Sequence, residues 1–182
     1  MKDKILETAS QKIQLYGLKK FTLDEIAIEL KISKKTIYKY FSSKDEIINQ
    51  FFNSIIESDK KNVLKQLKKE NSLLDNLNSI IYSYHKFKLP VSIIDETRKF
   101  YPEQWVKVEE LKKFKLDILY RLLKEGASDG VIKADVNFLI LSRVLDSVCD
   151  TFLDYKFLSD NKITFKEAIN EVINIILYGI IL

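Results

Sequence analysis

Apolar residues fall three and four apart along most of this 182-residue chain, and only two prolines and four glycines interrupt them. Such spacing puts a stripe of side chains on one side of a helix for burial and leaves the rest to water. Long stretches rich in Leu, Ile, Lys and Glu point the same way. No alternation of period two runs far enough to make a strand, and no segment repeats. The pattern restricts the chain to an all-α protein with short connections.

The helix boundaries are written in capping residues. Ile5, Leu6, Ala9, Ile13 and Tyr16 recur at helical spacing from Lys2 on, and Gly17 stands where a left-handed C-cap would. In "FTLDEIAIEL", Thr22 reads as N-cap and Glu25 as its capping-box partner, with the helix ending near Leu30. Ser33 caps a second short helix, "KKTIYKYF", ending near Phe41. "SKDE" (43–46) repeats the Ser-x-x-Glu box and opens a long helix through "KKE" (68–70). Further helices are expected from Ser72 to Leu89, from about Ser92 to Tyr101, and from Pro102 to near Gly126. The last two run over Val136–Leu158 and, after a Thr164/Glu167 box, Phe165–Leu182. That makes about nine helices.

The net charge is only +4, so the chain is no generic polycation and the placement of its lysines decides what they do. A single cysteine, Cys149, excludes an intrachain disulfide and fits a reducing cytoplasm. The N-terminus is amphipathic and lacks a signal-peptide apolar run, and "IILYGIIL" (175–182) is too short to span a bilayer. The expectation is a soluble cytoplasmic protein with no membrane partner.

Lysines concentrate in "KISKKTIYKYFSSKDE" (31–46), where five precede the first acidic residue. A lysine run alone marks a solvated helix face as readily as a polyanion site. Here a second pattern agrees with it. A helix-turn-helix needs apolar residues where two short helices cross, a small residue at closest approach and a plug in the turn. Ile26 and Leu30 supply the first inner face, Ala27 the small residue and Ile32 the plug, while Ile37 and Tyr40 face back from the second helix. Lys34, Lys35, Thr36, Tyr38 and Lys39 are left pointing outward.

Residues 5 to 52, centred on "YGLKKFTLDEIAIELKISKKTIYKYFSSKDEII", resemble the DNA-binding domain of the TetR/AcrR family of bacterial transcriptional regulators. The matching elements are the Gly17 turn, Phe21-Thr22, Ile26-Ala27, Ser33, Thr36-Ile37-Tyr38, Tyr40-Phe41 and Ser43-Lys44. Lys31 departs from the pattern, which has glycine between the two helices; a positive φ there costs a lysine about 1–2 kcal/mol. The resemblance implies an N-terminal three-helix DNA-binding domain (1–45) and a larger helical effector-binding and dimerisation domain (46–182). It also implies a homodimer that inserts the second helix into the major groove of each half of a palindromic double-stranded operator. The function to expect is a transcriptional repressor released by a small-molecule effector. Lys34, Lys39 and Lys44 are candidates to neutralise phosphates, and Thr22 and Ser43, at helix N-termini, to add hydroxyl and N–H contacts. Ser33 belongs to the same face, and Tyr38 is placed to meet the backbone or a sugar. Lys35 and Thr36 are candidates for base reading through a donor to guanine and a methyl to thymine.

Beyond residue 46 the last two helices are apolar on more than one side. Phe138, Leu141, Leu145, Val148, Phe152 and Tyr155 form one stripe, and Phe165, Ile169, Val172, Ile176 and Ile180 another. The family resemblance makes this pair the homodimer interface. Tyr82, His85, Phe100, Tyr101, Trp105, Phe114 and Phe152 are the candidates for an aromatic effector cavity. Asp146, Asp150 and Asp154 fall on one helix face, either as a wall selecting cationic effectors or as a stripe matched by lysines. No catalytic motif, cofactor signature or metal-ligand spacing is present. The rival reading is a helical protein-interaction adaptor without DNA binding.

Overall fold

The computed structural model describes residues 1–68, 70–81, 90–152 and 155–180, and of Ile81, Thr151, Phe152, Tyr155, Phe165 and Ile180 the backbone only. Among them are ten helices and no strand: α1 (Lys2–Lys20), α2 (Leu23–Leu30), α3 (Lys34–Tyr38), α4 (Lys44–Gln66), α5 (Leu73–Ile81), α6 (Val91–Phe100), α7 (Pro102–Ser128), α8 (Phe138–Phe152), α9 (Tyr155–Asp160) and α10 (Phe165–Ile180). They gather into two compact units. One holds Met1–Ser58 with His85–Val108, the other Asp59–Tyr84 with Glu109–Leu182, as far as each is described.

In the first unit the apolar positions of four helices meet, and Ile5, Ile13, Leu18, Phe21, Ile26, Ile37, Ile47, Phe51 and Phe52 are wholly buried. The capping residues do what their spacing predicts. The Thr22 hydroxyl accepts the Glu25 N–H at 3.2 Å, and the Glu25 carboxylate takes the Thr22 N–H at 2.8 Å, a complete capping box. Lys31 closes α2 in the left-handed conformation, φ 53° and ψ 44°. The Ile32 N–H reaches the Ala27 carbonyl at 2.9 Å and the Lys31 N–H the Ile28 carbonyl at 3.2 Å, the paired bonds of a Schellman closure. A lysine thus takes the strained position at which the family pattern has glycine.

Several boundaries differ from the sequence reading. Gly17 has positive φ, but φ 86° with ψ 170° is the mirror-image extended region rather than a left-handed cap, and one more turn follows it to Lys20. The first N–H groups of that turn are held by a side chain remote in sequence. Glu96 of α6 accepts from Leu18 N at 2.7 Å and from Lys19 N at 2.9 Å. A Cβ at Gly17 would stand 2.8 Å from Glu96 Oε2, so conformation and close approach both require glycine. α3 ends at Tyr38, three residues before the expected Phe41. The N–H groups of Lys39 and Tyr40 bond three residues back, and this tighter winding breaks the helical period. Tyr40 is consequently 41% exposed instead of facing inward, and Phe41 takes the buried place. α4 stops at Gln66, before the expected 70. Of the expected helix over 136–158, Phe138–Phe152 and Tyr155 onward are helical, residues 153–154 and 82–89 lying outside the described residues.

The second unit is built around Val63, Leu77, Ile80, Ile118, Leu123, Ile132, Leu141, Leu145 and Leu177. One buried charge sits in it. The Asp59 side chain is 1% exposed, and Lys115 Nζ stands 2.7 Å from its Oδ2. The Thr164/Glu167 capping box at the start of α10 is complete. No helix among the described residues is long and apolar enough to cross a membrane.

Candidate nucleic-acid interface

α3 has two sides of opposite character. Ile37 is completely buried against the rest of the first unit, with Ile26 and Ala27 of α2 also in that core. On the other side Ser33, Lys34, Lys35, Tyr38 and Lys39 are exposed, and Thr36 is half-buried. Ser33 caps the helix by accepting the Thr36 N–H at 3.1 Å, and the two hydroxyls lie 3.0 Å apart. Lys34 is partly matched: its ammonium lies 2.8 Å from Asp24 Oδ2, and that bond raises its pKa above the ordinary lysine value. Lys35 and Lys39 form no ion pair among the described residues, so they are the open cations of this face. Residues 1–45 contain ten lysines against six acidic residues, which equals the whole chain's net charge of +4.

The flanking candidates divide. Thr22 commits both hydroxyl and N–H to Glu25. Ser43 accepts the Glu46 N–H at 3.0 Å, but the returning carboxylate of Glu46 takes Ser42 instead, through that residue's N–H and hydroxyl. Those two bonds lower the Glu46 pKa. The N–H groups of Ser43, Lys44 and Asp45 have no intramolecular partner among the described residues, leaving the start of a 23-residue helix open to an anion. Lys44 points inward. It donates to the Lys19 carbonyl at 2.8 Å and lies 4.3 Å from the Phe21 ring centre, and burial lowers its pKa. A phosphate contact from Lys44 would have to replace the Lys19 carbonyl.

The effector candidates that are described divide between the two units. Phe100, Tyr101 and Trp105 belong to the first unit and Phe114 to the second. Tyr82 and His85 lie outside the described residues, as does the side chain of Phe152. The Lys19 ammonium lies over the Phe100 ring, and the Arg98 guanidinium 5.4 Å from the Trp105 ring centre. Asp146 and Asp150 face Lys112 of α7, at 3.3 and 2.7 Å, and Glu109 joins at 3.0 Å. These bonds hold the Lys112 pKa well above the lysine range despite its partial burial. The two carboxylates are therefore matched by a lysine, and Asp154 lies outside the described residues. The neighbouring Cys149 is half-buried, and desolvation pushes its thiol up to about 11, which leaves it protonated near neutral pH. No group of three His, Cys, Asp or Glu side chains suited to a metal ion occurs among the described residues.

Comparison with known proteins agrees with this geometry. Residues 5–51 match the profile of "Bacterial regulatory proteins, tetR family". An uncharacterized HTH-type transcriptional regulator of Bacillus subtilis, YvaF, is 22% identical over 164 residues, covering 88% of this chain and 85% of that protein. A transcriptional regulator from Saccharomonospora viridis in complex with choline has the same fold, with a TM-score of 0.80 at 16% identity over 100% of this chain and 97% of that one. FadR from Bacillus subtilis in complex with stearoyl-CoA gives a TM-score of 0.65 at 20% identity, covering 97% and 98%. With a helix-turn-helix whose inner face is buried and whose outer face carries open lysines, and with that segment matching the family profile, residues 5–51 form the DNA-binding domain characteristic of bacterial regulatory proteins of the tetR family.

Proposed function

We propose that this regulator is a repressor that binds a palindromic operator as a homodimer and leaves it when a small molecule binds elsewhere on the chain. The carrying observation is the sidedness of α3, where buried Ile37 fixes the helix so that Lys35, Tyr38 and Lys39 remain exposed. Lys39 and the open N–H groups at the start of α4 suit phosphate oxygens, while Lys35 and the Thr36 methyl suit base edges. α3 contains no Arg, Asn or Gln for bidentate base contacts. Operator choice therefore leans on DNA shape and half-site spacing as well as on bases. Genomic selection with the purified protein tests the reading. Lys35→Ala should broaden the recovered sequence at one base pair, whereas Lys39→Ala should weaken retention and leave the sequence unchanged. Recovery of no common sequence would contradict it.

The dimer is assigned to α8 and α10. Their inward stripes bury Leu141, Leu145, Ile169 and Leu177, yet Leu139, Ile140 and Val144 on α8 and Ile175 and Tyr178 on α10 remain exposed in the single chain, Tyr178 to 87%. Apolar surface in this quantity on two adjoining helices supports a protein interface. The expected mass in sedimentation equilibrium is twice that of the chain, and a monomer at micromolar concentration would overturn the assignment.

The functional division follows the family: 1–45 for DNA, 46–182 for the effector and the dimer. Release requires an effector with higher affinity for the form that does not fit the operator. Neighbours of the same fold hold molecules as unlike as stearoyl-CoA and choline, so the effector of this chain follows from its own side chains.

A further inference from the structure

Gly17 interrupts the helical dihedrals of α1, so the N–H groups just after it stand at the start of a new turn. α6, which packs on α1 within the first unit, supplies their acceptor. Each carboxylate oxygen of Glu96 takes one of two successive N–H groups, Leu18 at 2.7 Å and Lys19 at 2.9 Å. Bonds to an ionised acceptor are the stronger kind, and a pair of them fixes direction as well as distance. The approach is close enough that a Cβ on Gly17 would stand 2.8 Å from Oε2. A second contact between the same helices lies beside it, the Lys19 ammonium over the Phe100 ring.

Lys19 passes this hold to the candidate interface. Its carbonyl accepts Lys44 Nζ at 2.8 Å, and Lys44 is the first residue of α4. The N–H groups of residues 43–45, the ones suited to phosphate, belong to that same turn. Two hydrogen bonds through a single residue thus connect Glu96 to it. Charge argues the other way. Burial lowers the Lys44 pKa while the carboxylates of Asp45 and Glu96 oppose that shift, so the field of Glu96 reaches the start of α4. A negative charge at that place repels phosphate.

We propose that Glu96 is a positioning residue for operator binding: by holding Leu18 and Lys19 it fixes, through the Lys19 carbonyl and Lys44, the first turn of α4 where that turn meets phosphate. The proposal rests on the DNA-binding reading above. It gives a part in DNA binding to α6, a helix of the segment otherwise assigned to the effector and the dimer.

The test compares Glu96→Ala and Glu96→Gln with the parent by anisotropy titration of a selected operator, well below each thermal midpoint. If Glu96 contributed only its charge, removing it would tighten binding to a polyanion. Positioning predicts the opposite sign. Glu96→Ala should weaken operator binding about tenfold, the size of one lost charge-assisted hydrogen bond. Glu96→Gln loses the same charge but keeps the shape and one oxygen acceptor, and should recover part of the loss. Neutralising the operator phosphates one at a time with methylphosphonate separates positioning from general destabilisation. At least one phosphate whose neutralisation weakens the parent should cease to matter in Glu96→Ala, while the others keep their effect. If circular dichroism shows Glu96→Ala unfolded, Glu96→Gln gives the same test with the same sign. Equal or tighter binding by the folded variants, or a loss spread evenly over all phosphates, would overturn the proposal. A parent that retains no operator would be a different result, since it removes the DNA-binding reading itself and this proposal with it.

Discussion

Lys115→Met is expected to lower the stability of the protein by about 3–5 kcal/mol, the loss typical when one partner of a buried ion pair is removed. The reason is the position of Asp59. Its side chain is 1% exposed among the apolar residues of the second unit, and Lys115 Nζ is 2.7 Å from its carboxylate oxygen. Taking away the ammonium leaves the carboxylate out of water without its counter-charge, while methionine fills much of the lysine stem's volume and keeps the packing. The effect is therefore electrostatic. Asp59→Leu in the same chain should return most of the lost stability, because an apolar pair of similar volume replaces a buried ion pair at little or no loss. Urea denaturation with an unchanged m-value reads both results. A Lys115→Met midpoint equal to that of the parent would refute the assignment.

Ile37→Ala is the second large effect, and it joins the fold to the function. Ile37 is 0% exposed, and deleting its outer methyl groups should cost about 2–5 kcal/mol. For a chain of this size that lowers the thermal midpoint by on the order of 10 °C. The lysines of α3 remain in the sequence, yet duplex affinity should fall at least about tenfold, since the helix that orients them is no longer held. Lys39→Ala should do the reverse, lowering affinity with an unchanged midpoint because Lys39 is exposed. An Ile37→Ala protein that binds duplex as tightly as the parent would show that the buried side of α3 does not position the exposed one.

What was legible in the sequence is what forms within one helical turn. The Thr22/Glu25 and Thr164/Glu167 boxes join residues three apart, and the family resemblance, which has glycine at that place, marked Lys31 as the position for a positive φ. Contacts between distant segments left no such mark. Glu96 caps the turn after Gly17 from 78 residues away, and Lys112 reaches Asp150 across 38. Neither residue differs locally from any other charged residue on an amphipathic helix. Tyr40 illustrates a subtler failure. Its placement assumed a full helical period after Ile37, but the tight turn at Lys39 and Tyr40 moved the inward position to Phe41. Lys44 fits the phosphate pattern by type and position, and only the structure reveals its bond to the Lys19 carbonyl. In the candidate interface, then, residue identities and the Thr22/Glu25 box were readable, while the commitments of Lys34 and Lys44 to intramolecular partners were not.

The most direct test of the central claim is fluorescence anisotropy of a selected operator duplex titrated with the protein across a series of salt concentrations. If the open lysines beside α3 neutralise phosphates, log Kobs should fall linearly with log salt, and Lys39→Ala should reduce the slope by about 0.9, the release of one counterion. Affinity independent of salt, or a slope identical in Lys39→Ala, would contradict the account.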